Sequence, residues 1–130
     1  MHVFLGLDEA GYGPNLGPLV VSVTRWSLPS PAAAFDFYAV LASAVSAEPV
    51  RCGTRLQIAD SKAVYSPAQG LATLETSALA LLRQRGHTAV SLHGLWRALC
   101  GQLPDDLEPW FTDDLPLPLS ADAAAVERLA

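Results

Sequence analysis

The stretch from Gly6 to Val21 constrains this chain more than any other. An apolar strand runs into an acidic, glycine-rich turn, and a second apolar strand leaves it. Gly6, Gly11, Gly13 and Gly17, with Pro14 and Pro18, set a fixed irregular path between the two. Asp8 and Glu9 stand side by side where the first strand ends. Adjacent like charges at the lip of a buried strand repel, and a divalent cation between them removes that cost. The pair is therefore a candidate metal site.

At 130 residues the chain suits one domain with its own hydrophobic core, and a composition that is 51% hydrophobic argues against disorder. The net charge of −5, from 13 acidic and 8 basic residues, has the wrong sign for gripping nucleic acid through a broad basic surface. It leaves room for a nucleic-acid enzyme whose metal ions and local basic groups meet the phosphate. Cys52 and Cys100 have no metal-ligand spacing and read as free, buried thiols. The amino terminus has no basic region before its short apolar run, which Asp8 breaks, so no signal peptide is expected. Without an apolar run of transmembrane length, a soluble cytoplasmic protein with no membrane partner is expected.

Taken in order, residues 2 to 8 alternate as a strand, with Val3, Leu5 and Leu7 on one face and His2, Phe4, Gly6 and Asp8 on the other. Both faces are largely apolar, which predicts a central strand. Alternation sends Asp8 and Glu9 to opposite faces, so a shared site requires Glu9 to be leaving the strand. Leu19 to Trp26 reads as an antiparallel neighbour, ended by Pro29 and Pro31. Phe35, Tyr38, Ala39, Ala42 and Val45 predict a helix over 32 to 47. A short strand, Gln57 to Ala59, delivers Asp60-Ser61-Lys62. Ser66, Pro67 and Gln69 form a helix-start signature for a helix running to about Arg85, with Leu71, Leu74, Ala78 and Leu81 as its stripe and Gly86 as its stop. Beyond it the sequence predicts a strand at 89 to 92, a helical turn or two over Leu95 to Cys100, a proline- and acid-rich segment at 102 to 120, and a last helix from Ala121 to Leu129 capped by Ser120. The acids at 105 to 114 show no ordered ligand spacing and read as a solvated loop.

The run Gly6-x-Asp8-Glu9-Ala10-Gly11-x-Gly13-Pro14-x-x-Gly17-Pro18-x-Val20-Val21, followed by Asp60-Ser61-Lys62 and a capped helix, resembles the N-terminal half of the ribonuclease HII family. The resemblance covers roughly residues 3 to 82, interrupted by the predicted helical insertion at 32 to 47. It implies an α/β fold of ribonuclease H-like type, a mixed sheet flanked by helices, truncated on its C-terminal side. It also implies a metal-dependent endonuclease whose complete form hydrolyses the RNA strand of RNA/DNA hybrids or cuts at ribonucleotides within DNA. Asp8 and Glu9 would ligate Mg²⁺ or Mn²⁺, which activate a water and stabilise the leaving oxygen.

On the same resemblance, Gly11, Tyr12 and Gly13 would approach the nucleic acid, and Lys62, supported by Asp60 and Ser61, would contact phosphate. Tyr12 stands where the family typically has arginine or another polar group; it can stack on a sugar or base but cannot replace a guanidinium on phosphate. The family's two further aspartates lie beyond the matched region. Residues 1 to 130 alone are therefore expected to be inactive, and to self-associate through apolar surface that further elements would cover. The alternative expectation is a non-catalytic nucleic-acid-binding or scaffold module that keeps the fold.

Overall fold

The computed structural model describes residues 1–9, 19–50, 53–103 and 112–130, and the protein is mixed α/β. These residues fall into two compact units, Met1–Val40 and Leu41–Ala130.

In the first unit, β1 (His2–Glu9) pairs antiparallel with β2 (Val21–Leu28) from His2 opposite Leu28 to Glu9 opposite Val21. The antiparallel pairing matches expectation, but β1 is not a central strand. Among the described residues it belongs to a two-stranded sheet. Val3, Leu5 and Leu7 on one face, and Val21 and Val23 opposite that row, are all exposed. The other face is better filled. Phe4 lies opposite Trp26, and the Phe37 ring packs at 5.8 Å from Phe4 and 5.3 Å from Trp26, with Phe35 at 4.9 Å from Phe37.

That aromatic cluster also accounts for the helix expected over 32 to 47. A single 3-10 turn, Ala32–Ala34, ends at Phe35, whose backbone is extended. Asp36 then accepts the Ala39 amide at 3.0 Å and starts a one-turn helix, α1 (Phe37–Val40). The segment continues as β3 (Val45–Ser46) instead of helix. The threefold and fourfold spacing of apolar residues here reflects an aromatic cluster and not one continuous helical face.

The second unit is built on α3 (Ala72–Gln84). β3 and β4 (Leu56–Gln57) form a short parallel pair. Leu56, Leu79, Ala80 and Val126 make the buried core, with Leu81, Leu117, Ala121 and Leu129 packed against it. Val126 comes from α5 (Ala123–Leu129). The buried residues of α3 are Ser77, Leu79 and Ala80, whereas Leu71 and Ala78 of the expected stripe are exposed. Small residues let the helix approach β4 closely, and the Ser77 hydroxyl donates to the Gln57 carbonyl at 2.8 Å.

The start signature at Ser66 makes a separate turn. Ser66 Oγ accepts the Gln69 amide, the Gly70 amide bonds to the Ser66 carbonyl, and Gly70 takes a positive φ of 55° that no helix continues through. The stop at Gly86 is as expected. With φ at 87°, it allows the Gly86 amide to reach the Arg83 carbonyl and the His87 amide to reach the Leu82 carbonyl.

Downstream, the strand expected at 89 to 92 reduces to a single bridge between Ser91 and Pro116. Ser91 instead caps α4 (Leu92–Cys100), its Oγ accepting the Gly94 amide at 3.2 Å, so that helix begins earlier than predicted. Asp122, not Ser120, caps α5 through the Ala124 amide, so the helix starts at Ala123, two residues later than expected. Cys100 is exposed and free, contrary to the buried thiol expected, since it ends α4 beside Gly101; Cys52 lies outside the described residues. Residues 104 to 111 of the acid-rich segment also lie outside them. No helix among the described residues is long and apolar enough to cross a membrane.

Candidate functional site

Asp8 and Glu9 are the last two residues of β1, opposite Ser22 and Val21 on β2. Both are exposed. The Glu9 amide donates to Asp8 Oδ1 at 3.0 Å, so the aspartate curls onto the next peptide unit. Glu9 remains in the strand, and alternation then places the two side chains on opposite faces of the hairpin. Water screens two exposed carboxylates so arranged, which removes the repulsion expected of a buried strand end. Among the described residues, no group of three or more His, Cys, Asp or Glu side chains could hold a metal ion. Gly11, Tyr12 and Gly13 lie outside the described residues.

Asp60, Ser61 and Lys62 belong to the second unit. Asp60 Oδ1 accepts the Lys62 amide at 2.9 Å and caps the one-turn helix α2 (Ser61–Val64). Buried Val64 anchors that turn, leaving Ser61 and Lys62 exposed. The three residues thus have a local backbone reason to occur together: the aspartate starts the turn that projects the lysine. Ser61 and Lys62, with Tyr65, Leu71 and Leu74, line a shallow cleft of about 350 Å³. A cation beside an exposed aromatic and two leucines can receive an anionic group carrying a flat or apolar part.

A second cleft in the same unit, about 380 Å³, lies beside Arg55, Gln57, Gln69, Thr73, Thr76 and Asp122. Its polar groups are largely engaged in the fold. Arg55 donates to the Ala42 carbonyl, Gln57 to the Ala47 carbonyl and Thr76 to the Ala72 carbonyl, while Asp122 caps α5.

Two carboxylates that the sequence did not single out as sites have perturbed acidity. Burial alone pushes Glu75 up, but the backbone N–H groups of Leu119, Ser120 and Ala121 outweigh it and hold the group below its ordinary value. Asp114 is lowered mainly by the His93 amide at 2.8 Å; slight burial opposes this, and a bond from Ser91 and the charges of His93 and Arg97 add to it. Both carboxylates organise loops. Their signal is three-dimensional, because the donors lie far along the chain from the acids.

Compared with known protein families, curated proteins and solved structures, the chain matches none.

Proposed function

We propose that this chain contributes to a metal-dependent endonuclease site of the ribonuclease HII kind, on a ribonuclease H-like fold, acting on the RNA strand of RNA/DNA hybrids or on ribonucleotide-containing DNA. The observation that carries the reading is the placement of Asp8 and Glu9 as exposed terminal residues of β1, entering the glycine-rich segment. Their oxygen donors suit Mg²⁺ or Mn²⁺ better than zinc, which favours nitrogen and sulfur ligands. Among the described residues, no donor other than the Glu9 amide meets either carboxylate, so each is available as a ligand.

Asp8 and Glu9 would each offer a carboxylate ligand from its own face of the strand end, and the ion when bound would supply Lewis acidity toward water and the phosphodiester. Gly11, Tyr12 and Gly13 would approach the strand, Tyr12 offering a ring and a hydroxyl to sugar or base. Lys62 would set a positive charge against a phosphate, positioned by the Asp60 cap and flanked by Ser61. Two carboxylates on opposite faces hold a pair of ions poorly, so residues 1 to 130 alone are expected to cleave slowly or not at all.

That same arrangement favours a second reading, a nucleic-acid-binding or scaffold module without chemistry. Calorimetric titration with Mn²⁺, alongside cleavage of a labelled hybrid, separates the two. The nuclease reading expects weak Mn²⁺ binding that Asp8→Asn and Glu9→Gln each abolish. Hybrid binding with no Mn²⁺ uptake would transfer the case to the module, and cleavage unaffected by Asp8→Asn would overturn the assignment of the site.

A further inference from the structure

The cleft of about 380 Å³ in the second unit carries two opposite charges that do not pair with each other. Arg55, half-buried just before β4, and Asp122, exposed just before α5, both line it. Among the described residues, neither belongs to an ion pair. Each is tethered to backbone instead. Arg55 gives an Nη1 proton to the Ala42 carbonyl at 3.2 Å, and Asp122 Oδ1 takes the Ala124 amide at 3.1 Å. These tethers use one contact of each group. The other guanidinium N–H groups and Asp122 Oδ2 meet no protein partner among the described residues. Every buried side-chain polar atom described has a partner, so these spare groups are open to water and to a ligand in the cleft.

We propose that this cleft binds a small zwitterion of the free, apolar amino-acid class. The ligand carboxylate would take the spare Arg55 N–H groups, whose planar fork suits two oxygens. The ligand ammonium would donate to Asp122 Oδ2 and to Gln57 Oε1. Gln57 spends its Nε2 on the Ala47 carbonyl at 3.4 Å, which leaves that oxygen as an acceptor. Val50, Ala125 and Leu129 offer an apolar wall to the ligand's side chain.

The pair of charges is what selects the class. A simple anion on Arg55 would set like charge against Asp122, and a simple cation on Asp122 would do the same to Arg55. A molecule carrying both charges satisfies both. The volume lies at the small end of ligand pockets, which suits a molecule of this size. None of this uses Asp8, Glu9 or Lys62, so the assignment stands independently of the nuclease reading.

Titration of the ¹⁵N-labelled 130-residue chain with L-leucine, followed by NMR, tests it. The amides of Gln57, Thr73 and Ala125, which line the cleft, should shift and saturate at roughly millimolar ligand. N-acetyl-leucine lacks the cation and leucinamide lacks the anion, so each should bind about tenfold more weakly. Asp122→Asn keeps a capping acceptor but removes the charge. It should weaken L-leucine and leucinamide about tenfold and spare N-acetyl-leucine. Arg55→Gln keeps a donor for the Ala42 carbonyl, and should weaken L-leucine and N-acetyl-leucine while sparing leucinamide. Should Arg55→Gln misfold, the pattern of Asp122→Asn over the three ligands decides. No saturation, shifts only outside the cleft, N-acetyl-leucine bound as tightly as L-leucine, or L-leucine affinity unchanged by Asp122→Asn would overturn the proposal.

Discussion

Glu75 on α3 accepts the Ser120 amide at 2.6 Å across 45 residues of sequence. The same carboxylate takes the Leu119 amide at 2.6 Å and the Ala121 amide at 2.8 Å. Three consecutive peptide N–H groups converging on one anion tie the entry of α5 to the first turn of α3, and α5 delivers Val126 to the core. The acid therefore acts as a pin between two elements. Glu75→Gln keeps the size but presents donors where acceptors are needed, so urea unfolding at neutral pH should show a loss of about 1–3 kcal/mol.

The same pin sets a pH dependence. The folded-state pKa of Glu75 is lowered, so its contribution is present above the unfolded value of about 4.3 and is lost as pH falls through the lower folded value. The stability gap between wild type and Glu75→Gln should thus shrink below about pH 4. A gap that stays constant from neutral to acid pH would show that the carboxylate's charge plays no part.

At Gly6 the hairpin has no room for a side chain. An added Cβ would lie 2.8 Å from Thr24 Oγ1, and that oxygen also accepts the Trp26 indole N–H at 3.1 Å. Gly6→Ala should therefore disturb Thr24 and loosen Trp26 against Phe37. A red shift of tryptophan emission, with about 1 kcal/mol of lost stability, is the expected result. Gly6→Ala together with Thr24→Ser should recover part of it by letting the hydroxyl rotate away.

What could be read from the sequence follows from what is local. The β1–β2 pairing was visible because alternation and a short connection specify neighbours, and Gly86 was visible because a helix stop needs a residue that tolerates positive φ. The predicted helix at 32 to 47 failed because Phe35 and Phe37 serve a cluster with Phe4 and Trp26, which no helical periodicity reveals. Ser66 carried a true capping signal, but Gly70 turned it into a separate bend. Asp8 and Glu9 were legible as a pair, whereas their exposure and alternation depend on what covers the hairpin. The Glu75 and Asp114 clamps are tertiary, so each acid looked like an ordinary surface charge.

Asp60 and Lys62 offer a way to separate folding from binding within one tripeptide. The Asp60 side chain caps α2, while Lys62 is exposed beside Tyr65 at the shallow cleft. Asp60→Ala should cost about 1 kcal/mol of stability, because it leaves the Lys62 amide without its acceptor. Lys62→Ala removes a solvated charge and should leave stability within about 0.5 kcal/mol. If Lys62 meets phosphate, its loss should weaken hybrid binding and reduce the slope of log affinity against log salt by about one contact. Asn at position 60 retains the cap and should behave as wild type in unfolding. Fluorescence anisotropy at several salt concentrations, run beside urea unfolding, resolves the two roles. An unchanged salt slope for Lys62→Ala would remove this lysine from the nucleic-acid surface while leaving the capping role of Asp60 intact.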